Sequence, residues 1–470
     1  MKFNSTRNVS HVADFETAIL NSYAEDGGLY VPTDIPILST EEIEKICQLP
    51  FKKLVTNLLM KFINEDEIPG KELTVMIEKC YSRFSHPEVV QMTKLKDDLE
   101  IAEFFHGPTR TFKDLSTFIC AQLMCYLFEK RNKKGIILTA TSGDTGNSVI
   151  EAFLGMKNVD VIVWYPVNYC TKIQILKMCT IIDDRVHCVA AEGNSDDIDL
   201  PMKKVFLDKQ FTEKYNIISP NSINVFRIIL QSALYFYIYG QQSEKSSFKN
   251  FEIIVPVGAA GSLSGGVLAK KMGLPIKLVA VTTVNDIVYR TFKTGDLSVS
   301  DKVIRTLSPA MDIQVPYNIE RVLYFLSEEK NASVDIMEKF YESGKAVLPG
   351  DMLEGVNNLI SSFSATDELK IKTIKRCFEE NNYKLCPHTA TAVSYHYHQL
   401  DNNVNDGKVH VVISTASAAR FPEGLLAAGI EPETHAAFEN LMELPRKCDN
   451  VSAKDNWEHI MREKIKSLRD

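Results

Sequence analysis

The chain has 470 residues, 45% of them hydrophobic and 24% charged, with a formal net charge of −8. This composition is typical of a folded globular protein and excludes a disordered or collagen-like chain. A mildly acidic chain also lacks the basic surface that binds a nucleic-acid backbone. The length predicts two or three folded units that can bury a core without disulfides or structural metals.

The pattern of apolar residues predicts a mixed, largely helical start followed by alternating strands and helices. Helical patterns dominate residues 1–98, with a helix start at Thr40. From about residue 100, short runs rich in Val and Ile alternate with helical segments. The predicted strands are 101–105, 135–139, 159–164, 186–190, 251–255, 277–281 and 409–413, and the predicted helices between them are 112–131, 146–155, 171–182, 196–209, 222–240 and 263–272. Such alternation predicts parallel sheets covered by helices on both faces.

These elements predict three domains and a tail. The N-terminal domain covers residues 1–98, the first α/β domain 99–245 and the second 246–445. The polar run 243–250 is a predicted linker between the two α/β domains. Residues 446–470 are rich in charge, and we expect them to form a surface helix.

The cysteines and the N-terminus indicate where the protein acts. Ten cysteines are spread along the chain without a C-x-x-C pair or a histidine at zinc-finger spacing. We therefore expect reduced, mostly buried thiols and no metal. Residues 1–7 lack the apolar core of a secretory signal, and the longest apolar stretch, 228–239, is too short to cross a bilayer. These features predict a cytoplasmic protein with no membrane or nucleic-acid partner.

Three strand-to-helix loops lie where an open α/β sheet binds its ligand. Residues 141–147, T-S-G-D-T-G-N, combine a helix start with hydroxyl donors and favour an anion, with ordinary helix capping as the alternative. Residues 256–266 are rich in Gly, Ala and Ser and favour a phosphate cup, with tight helix–sheet packing as the alternative. Residues 414–419 place a hydroxyl at a strand end or form a structural turn. None of these loops matches a Walker or dinucleotide-binding motif.

A lysine in a fourth strand-to-helix segment strengthens the prediction that these loops bind a ligand. Lys113 lies in the segment H-G-P-T-R-T-F-K-D, residues 106–114, in which a Gly-Pro turn leads into a helix. A solvated surface charge is the alternative, but a lysine held among apolar neighbours can lose solvation and act as a nucleophile. An amine, a phosphate cup and a hydroxyl together suit pyridoxal 5'-phosphate, which needs a lysine, a phosphate site and a partner for its ring nitrogen.

Four motifs resemble those of the threonine synthase family. They are H-G-P-T-x-x-F-K-D at 106–114, T-S-G-D-T-G at 141–146, P-H-T-A at 387–390 and the segment 23–32, which is similar to the start of the family's N-terminal domain. The resemblance extends from about residue 5 to residue 428. It implies pyridoxal phosphate as cofactor and fold type II of the pyridoxal-phosphate enzymes, with two parallel-sheet α/β domains and an N-terminal mixed domain.

The resemblance also implies the roles of individual residues. Lys113 is the catalytic lysine that holds the cofactor, and Thr415 meets the ring nitrogen. The residues that cradle the cofactor phosphate are Gly258, Ala259, Ala260 and Ser262. The residues that hold the substrate's α-carboxylate are Ser142, Gly143, Asp144 and Thr145. His388, in the P-H-T-A segment, is more typical of a structural residue.

The departures from the family pattern bear on the reaction. Residues 258–262 read G-A-A-G-S where threonine synthases usually carry G-N-F-G-N, and residues 417–419 read S-A-A where they usually carry H-P-A. These variants are similar to an animal branch of the family, which implies a phospho-lyase that converts O-phosphohomoserine and O-phosphothreonine to 2-oxobutyrate. A genuine threonine synthase and a cofactor-binding protein without turnover stay open as alternatives. An oligomer is possible by analogy with the fold type, and the roles of Arg110 and Thr111 are open.

Overall fold

The computed structural model describes residues 1–243, 250–327, 330–404 and 407–469. Residues 244–249 of the predicted linker, and with them the predicted boundary after residue 245, lie outside this part of the chain. The strands are β1 (Lys2–Ser5), β2 (Val12–Asp14), β3 (Tyr30–Pro32), β4 (Gln91–Lys94), β5 (Leu99–Glu103), β6 (Gly135–Ala140), β7 (Val159–Pro166), β8 (Val186–Ala191), β9 (Ile217–Ile218), β10 (Phe251–Pro256), β11 (Leu278–Thr282), β12 (Asp296–Ser298), β13 (Lys345–Val347), β14 (Ile360–Ser364), β15 (Val409–Ser414) and β16 (Asp449–Val451).

The helices cover the sheets and form most of the N-terminal region. They are α1 (Phe15–Leu20), α2 (Thr40–Cys47), α3 (Phe51–Leu59), α4 (Gly70–Tyr81), α5 (Lys113–Lys130), α6 (Asp144–Phe153), α7 (Lys172–Cys179), α8 (Ser195–Leu207), α9 (Lys209–Tyr215), α10 (Val225–Ser243), α11 (Gly261–Lys271), α12 (Ile287–Thr294), α13 (Ile319–Leu326), α14 (Lys330–Ser343), α15 (Gly350–Asn357), α16 (Asp367–Asn381), α17 (Pro387–Asp401), α18 (Pro422–Ala427) and α19 (Trp457–Ser467). None of the helices in the described ranges is both long and apolar enough to cross a bilayer.

The larger of two main sheets has the strand order β14-β11-β10-β15-β5-β4. Its strands from β14 to β5 run parallel, and only the edge strand β4 is antiparallel. Ile254 pairs with Val412 on one face of the sheet, Ile253 pairs with Val411 on the other, and all four side chains are fully buried. Strands that are apolar on both faces need helices on both sides, as the α/β pattern predicts.

The smaller main sheet has the order β16-β8-β7-β6-β9, and all its pairings are parallel. The two parallel sheets confirm the predicted α/β class. A third, antiparallel sheet of β2, β1 and β3 lies at the N-terminus. Nine of the ten cysteines are buried, and all ten are free thiols.

The sheet pairings differ from the sequence-based grouping at two places. Strand β5, expected with the first α/β unit, pairs with β15 in the larger sheet. Apolar periodicity identifies a buried strand but does not identify its neighbours, which explains the difference. The tail at 446–470 is not simply a surface helix, since β16 extends the smaller sheet and α19 buries Trp457, Met461 and Ile465. Those side chains recur every four residues and so share one helix face.

Candidate active site

Three neighbouring strands of the larger sheet bring the predicted residues together. Lys113 follows β5, Thr415 follows β15, and the cup at 258–262 follows β10. These strands lie side by side and parallel, so that their carboxyl ends meet at one edge of the sheet. The loop 141–146 follows β6 of the smaller sheet. One cavity is lined by Lys113, Ser142, Thr145, Gly258, Ala259, Ala260, Ser262 and Thr415.

The turn that carries Lys113 is fixed by its neighbour Asp114. The Asp114 carboxylate accepts hydrogen bonds from the Thr109 backbone N–H at 2.8 Å and the Thr109 hydroxyl at 2.6 Å. A Cβ at Gly107 would collide with the Asp114 side chain, so that only glycine fits there. Arg110 adopts a left-handed conformation with φ of 59°, and its side chain donates to the Ser85 hydroxyl at 2.9 Å. The turn therefore delivers Lys113 to the cavity from a rigid support.

The surroundings of Lys113 shift the pKa of its amine downward, toward easier loss of the proton. Its Nζ lies 3.7 Å from Asp144 Oδ2 and 4.6 Å from the centre of the Phe112 ring. Burial lowers the pKa of the Lys113 amine, and the positive charges of Arg227 and Arg420 lower it further, while Asp144 opposes them. A lysine in this setting can act as a nucleophile and as a base.

Asp144 is engaged by protein groups on several sides. Its Oδ1 accepts from Gln174 Nε2 at 2.8 Å and from Arg420 Nε at 2.8 Å, while Lys113 approaches Oδ2. Although burial raises the pKa of Asp144, the charges of Arg420 and Lys113 hold it well below its usual range. Arg420 also donates to the Thr109 carbonyl at 3.1 Å. This arginine therefore joins the lysine turn to the loop after β6.

The loop after β6 presents two of its four predicted residues to the cavity. Ser142 and Thr145 line it, whereas Gly143 and Asp144 are not among the lining residues. The Thr141 hydroxyl accepts from the N–H groups of Gly143, at 3.0 Å, and Gly146, at 2.8 Å. Gly143 has φ of +116°, and a Cβ there would lie 2.5 Å from Gln174, so the loop requires glycine.

The loop between β10 and α11 forms a backbone cup. Ala260 adopts a left-handed conformation with φ of 60° at the start of α11, and no side chain caps this helix end. The first N–H groups of such a helix are free to bind an anion. A Cβ at Gly258 would lie 2.7 Å from the Ala310 carbonyl oxygen, so only glycine keeps the cup open. Tyr235 fixes the far wall by donating to the Ser262 carbonyl at 2.7 Å.

Thr415 is held at the end of β15 by its backbone. Its N–H donates to the Thr389 hydroxyl at 3.4 Å, and its carbonyl accepts from the Phe112 N–H at 2.8 Å. The Thr415 side chain is nearly buried and lines the cavity. An uncapped helix start, a half-buried lysine and a hydroxyl therefore surround one space, and this set fits pyridoxal phosphate.

Sequence reasoning missed several residues that the structure places in the cavity wall. His388 lines the cavity, accepts from the Ala310 N–H at 3.2 Å and has a buried Nδ1 that no described residue contacts by a hydrogen bond. Burial lowers the pKa of His388 to about 3, so its imidazole is neutral. His388 lies in the P-H-T-A motif at 387–390, which could have identified it from the sequence. Arg227, Asp199 and Tyr317 also line the cavity, although no role was predicted for them from the sequence.

Comparison with known proteins identifies the family. The family model "Threonine synthase N terminus" matches residues 2–81, "Pyridoxal-phosphate dependent enzyme" matches 101–343, and "Threonine synthase, C-terminal" matches 389–462. Threonine synthase-like 2 from Rattus norvegicus is 41% identical over 472 residues, covering 100% of this chain and 97% of the relative. Threonine synthase from Saccharomyces cerevisiae is 34% identical and covers 90% of this chain and 88% of the relative.

Solved structures support the same assignment. The pyridoxal-phosphate-bound threonine synthase from Brucella melitensis has a TM-score of 0.88 at 31% identity, covering 99% of both chains. The yeast threonine synthase has a TM-score of 0.89 at 31% identity, covering 99% of this chain and 97% of that one. These matches confirm fold type II and the cofactor pyridoxal 5'-phosphate. The chain therefore belongs to the threonine synthase family of pyridoxal-phosphate-dependent enzymes.

Proposed function

We propose that this chain is a phospho-lyase that eliminates phosphate from O-phosphohomoserine, at the γ-carbon, and from O-phosphothreonine, at the β-carbon, and then takes up one water to release 2-oxobutyrate and ammonia. The observation that carries the proposal is the half-buried Lys113 amine in one cavity with the cup at 258–262 and the loop at 141–146. The identity to Threonine synthase-like 2 along the whole chain, together with the G-A-A-G-S and S-A-A variants, favours the phospho-lyase branch.

Lys113 has two successive roles in this proposal. It first holds the cofactor, and after a substrate amine replaces it, the freed amine removes the substrate's α-proton. The lowered pKa of Lys113 supports this second role because a neutral amine is the form that accepts a proton. Pyridoxal phosphate, when bound, supplies a ring that takes up the negative charge left by that proton. The carbon–oxygen bond to phosphate then breaks, preceded for a γ-phosphate by loss of a β-proton.

The other residues bind and orient. The backbone of Gly258, Ala259, Ala260 and Ser262 holds the cofactor phosphate, and the Thr415 hydroxyl meets the ring nitrogen. A hydroxyl carries no charge and so does not enforce protonation of that nitrogen. Ser142 and Thr145 bind the substrate's α-carboxylate, with Gly143 shaping the loop. We assign Asp144 to positioning Lys113 and Arg420, because its carboxylate is already engaged by protein groups.

A threonine synthase is the second candidate. In that reaction water adds at the β-carbon, and threonine leaves in place of 2-oxobutyrate. The H-G-P-T segment at 106–109 and the 34% identity to the yeast threonine synthase favour it. The two reactions share the steps at Lys113 and divide only where one water is either positioned or excluded.

Phosphate release tests the proposed reaction. The cofactor-loaded full chain is incubated separately with O-phosphohomoserine and O-phosphothreonine, and free phosphate is measured over time. We expect release from both substrates, and none from Lys113→Ala. No release from either substrate by the wild-type chain would refute the proposal and indicate a cofactor-binding protein without turnover. Undiminished release by Lys113→Ala would refute the role of the lysine.

A further inference from the structure

Three fully buried arginines in the described part of the chain differ in what they bind. Arg420 pairs with the Asp144 carboxylate at 2.8 Å and donates to a carbonyl at 3.1 Å. Arg321 donates to four oxygen atoms at 2.5–3.0 Å. Arg227 is equally buried but donates only to the Pro220 carbonyl, at 2.9 Å, and its Nε has no partner. Arg227 is therefore the least satisfied of the three.

Arg227 forms no ion pair within the described part of the chain. Among the described residues no carboxylate oxygen lies within 4.0 Å of its guanidinium. Asp114 influences it through space, but the Asp114 carboxylate accepts both hydrogen bonds from Thr109. Burying a guanidinium without a paired anion is unfavourable, because the charge loses its hydration and gains nothing in return. A bound anion would supply the missing partner.

The position of Arg227 identifies where that anion lies. Arg227 projects from the first turn of α10 and lines the same cavity as Lys113 and Ser142. The cup at 258–262 is made of backbone and small side chains without a charged group. The cavity wall thus contains the backbone cup at 258–262, which can bind one anion, and separately the Arg227 guanidinium, which has no ion-pair partner among the described residues.

We propose that Arg227 is the charge partner of a phosphate monoester in this cavity. The inference rests on the proposed function, in which both the cofactor and the substrate carry such a group. A guanidinium donates two parallel hydrogen bonds to phosphate, which satisfies the free donors and neutralises the buried charge. The substrate's phosphate is the source we assign, because the cup already accounts for that of the cofactor. Arg227 would then select phosphorylated over unphosphorylated amino acids.

A binding measurement on the cofactor-loaded full chain tests the anion site without turnover. Inorganic phosphate should raise the thermal unfolding midpoint of the wild-type chain, since it binds only the native state. The rise should be absent in Arg227→Gln and partly kept in Arg227→Lys. Arg185→Gln is the control for loss of an arginine outside the cavity, because Arg185 also donates to one carbonyl, of Met156, although it is half-exposed and has Asp183 as an ion-pair partner at 3.6 Å. Without phosphate, Arg227→Gln should be no less stable than wild type, whereas loss of a purely structural arginine would lower the midpoint.

Two further measurements, KM for the substrate and the affinity for the cofactor, show whether the phosphate that Arg227 binds belongs to the substrate or to the cofactor. If the substrate supplies it, Arg227→Gln should raise KM for O-phosphothreonine at least about tenfold, with the affinity for pyridoxal phosphate, titrated by absorbance, unchanged. Weaker cofactor binding with unchanged KM would keep Arg227 as a phosphate partner but assign it to the cofactor. Unchanged midpoint shift, cofactor affinity and KM in Arg227→Gln would overturn the inference. The proposed function and the anion site can fail separately. If the wild-type chain released no phosphate from either substrate, the proposed function would be refuted. The anion site would still be supported if inorganic phosphate raised the unfolding midpoint of the wild-type chain but not that of Arg227→Gln.

Discussion

The buried ion pair between Asp144 and Arg420 makes a quantitative prediction. The two side chains are 2% and 0% exposed and meet at 2.8 Å, and Arg420 also reaches the lysine turn. Asp144→Asn removes the negative charge while keeping the shape of the side chain. It leaves Arg420 buried without its anion and leaves Lys113 without its neighbouring carboxylate.

The size of the effect follows from the geometry. Breaking a buried ion pair by removing one partner costs about 3–5 kcal/mol. The variant keeps an oxygen that can accept from Gln174, and Arg420 keeps its bond to the Thr109 carbonyl. We therefore expect the lower end, a loss of about 3 kcal/mol in the free energy of unfolding. The pKa of the Lys113 amine should also fall, because Asp144 is the main group that raises it.

A double-mutant cycle measures this pair. Asp144→Asn, Arg420→Met and the double variant are unfolded in urea and followed by circular dichroism. The double variant should lose less stability than the sum of the single variants, with a coupling energy of about 1–3 kcal/mol, since it leaves no charge of the pair uncompensated. Additive losses would refute the reasoning, because they would mean that the two side chains do not stabilise each other.

Three other predictions follow from the structure. Gly258→Ala should weaken pyridoxal-phosphate binding, measured by absorbance titration, because its Cβ would lie 2.7 Å from the Ala310 carbonyl; Gly355→Ala, with open space around it, is the control and should not. Trp457→Ala should lower the free energy of unfolding by about 3–5 kcal/mol in urea, and a change below about 1 kcal/mol would show that the tail does not support the smaller sheet. Burial, together with the nearby charge of Asp196, raises the pKa of Asp199 to about 8, whereas the pKa of an aspartate in the unfolded chain is about 4. Because the unfolded chain loses this proton first, Asp199 lowers the free energy of unfolding as pH rises from about 4 to about 8. Asp199→Asn should therefore stabilise the chain more at about pH 9 than at about pH 5, and an equal effect at both would contradict the assignment.

The sequence was sufficient to predict the parts of the site that lie next to strands. Lys113, the cup at 258–262 and Thr415 each follow a buried strand, and parallel strands end at one edge of a sheet, so their proximity is predictable. Strand pairing was not predictable in the same way. The predicted strand 101–105 has the same mostly apolar sequence whichever neighbour it has, and the place of β5 beside β15 depends on long-range packing.

The charged residues around the cavity were the least predictable. Arg227 lies at the start of a strongly apolar helix, where a lone charge usually marks a solvated helix end. Arg420 follows an ordinary-looking turn, and only the fold brings it to Asp144, 276 residues away in sequence. Both positions depend on how the two sheets and their helices approach one another, which local patterns do not determine. His388 stood in a recognisable motif, but only its burial beside the cavity distinguishes it from a structural histidine.

We propose that phosphate elimination by this chain ends in 2-oxobutyrate. The most direct test is to incubate the cofactor-loaded full chain with O-phosphohomoserine and to measure phosphate, 2-oxobutyrate and threonine in the same samples. We predict 2-oxobutyrate in the same amount as phosphate, with no threonine. Threonine in the same amount as phosphate would contradict the claim and make the chain a threonine synthase.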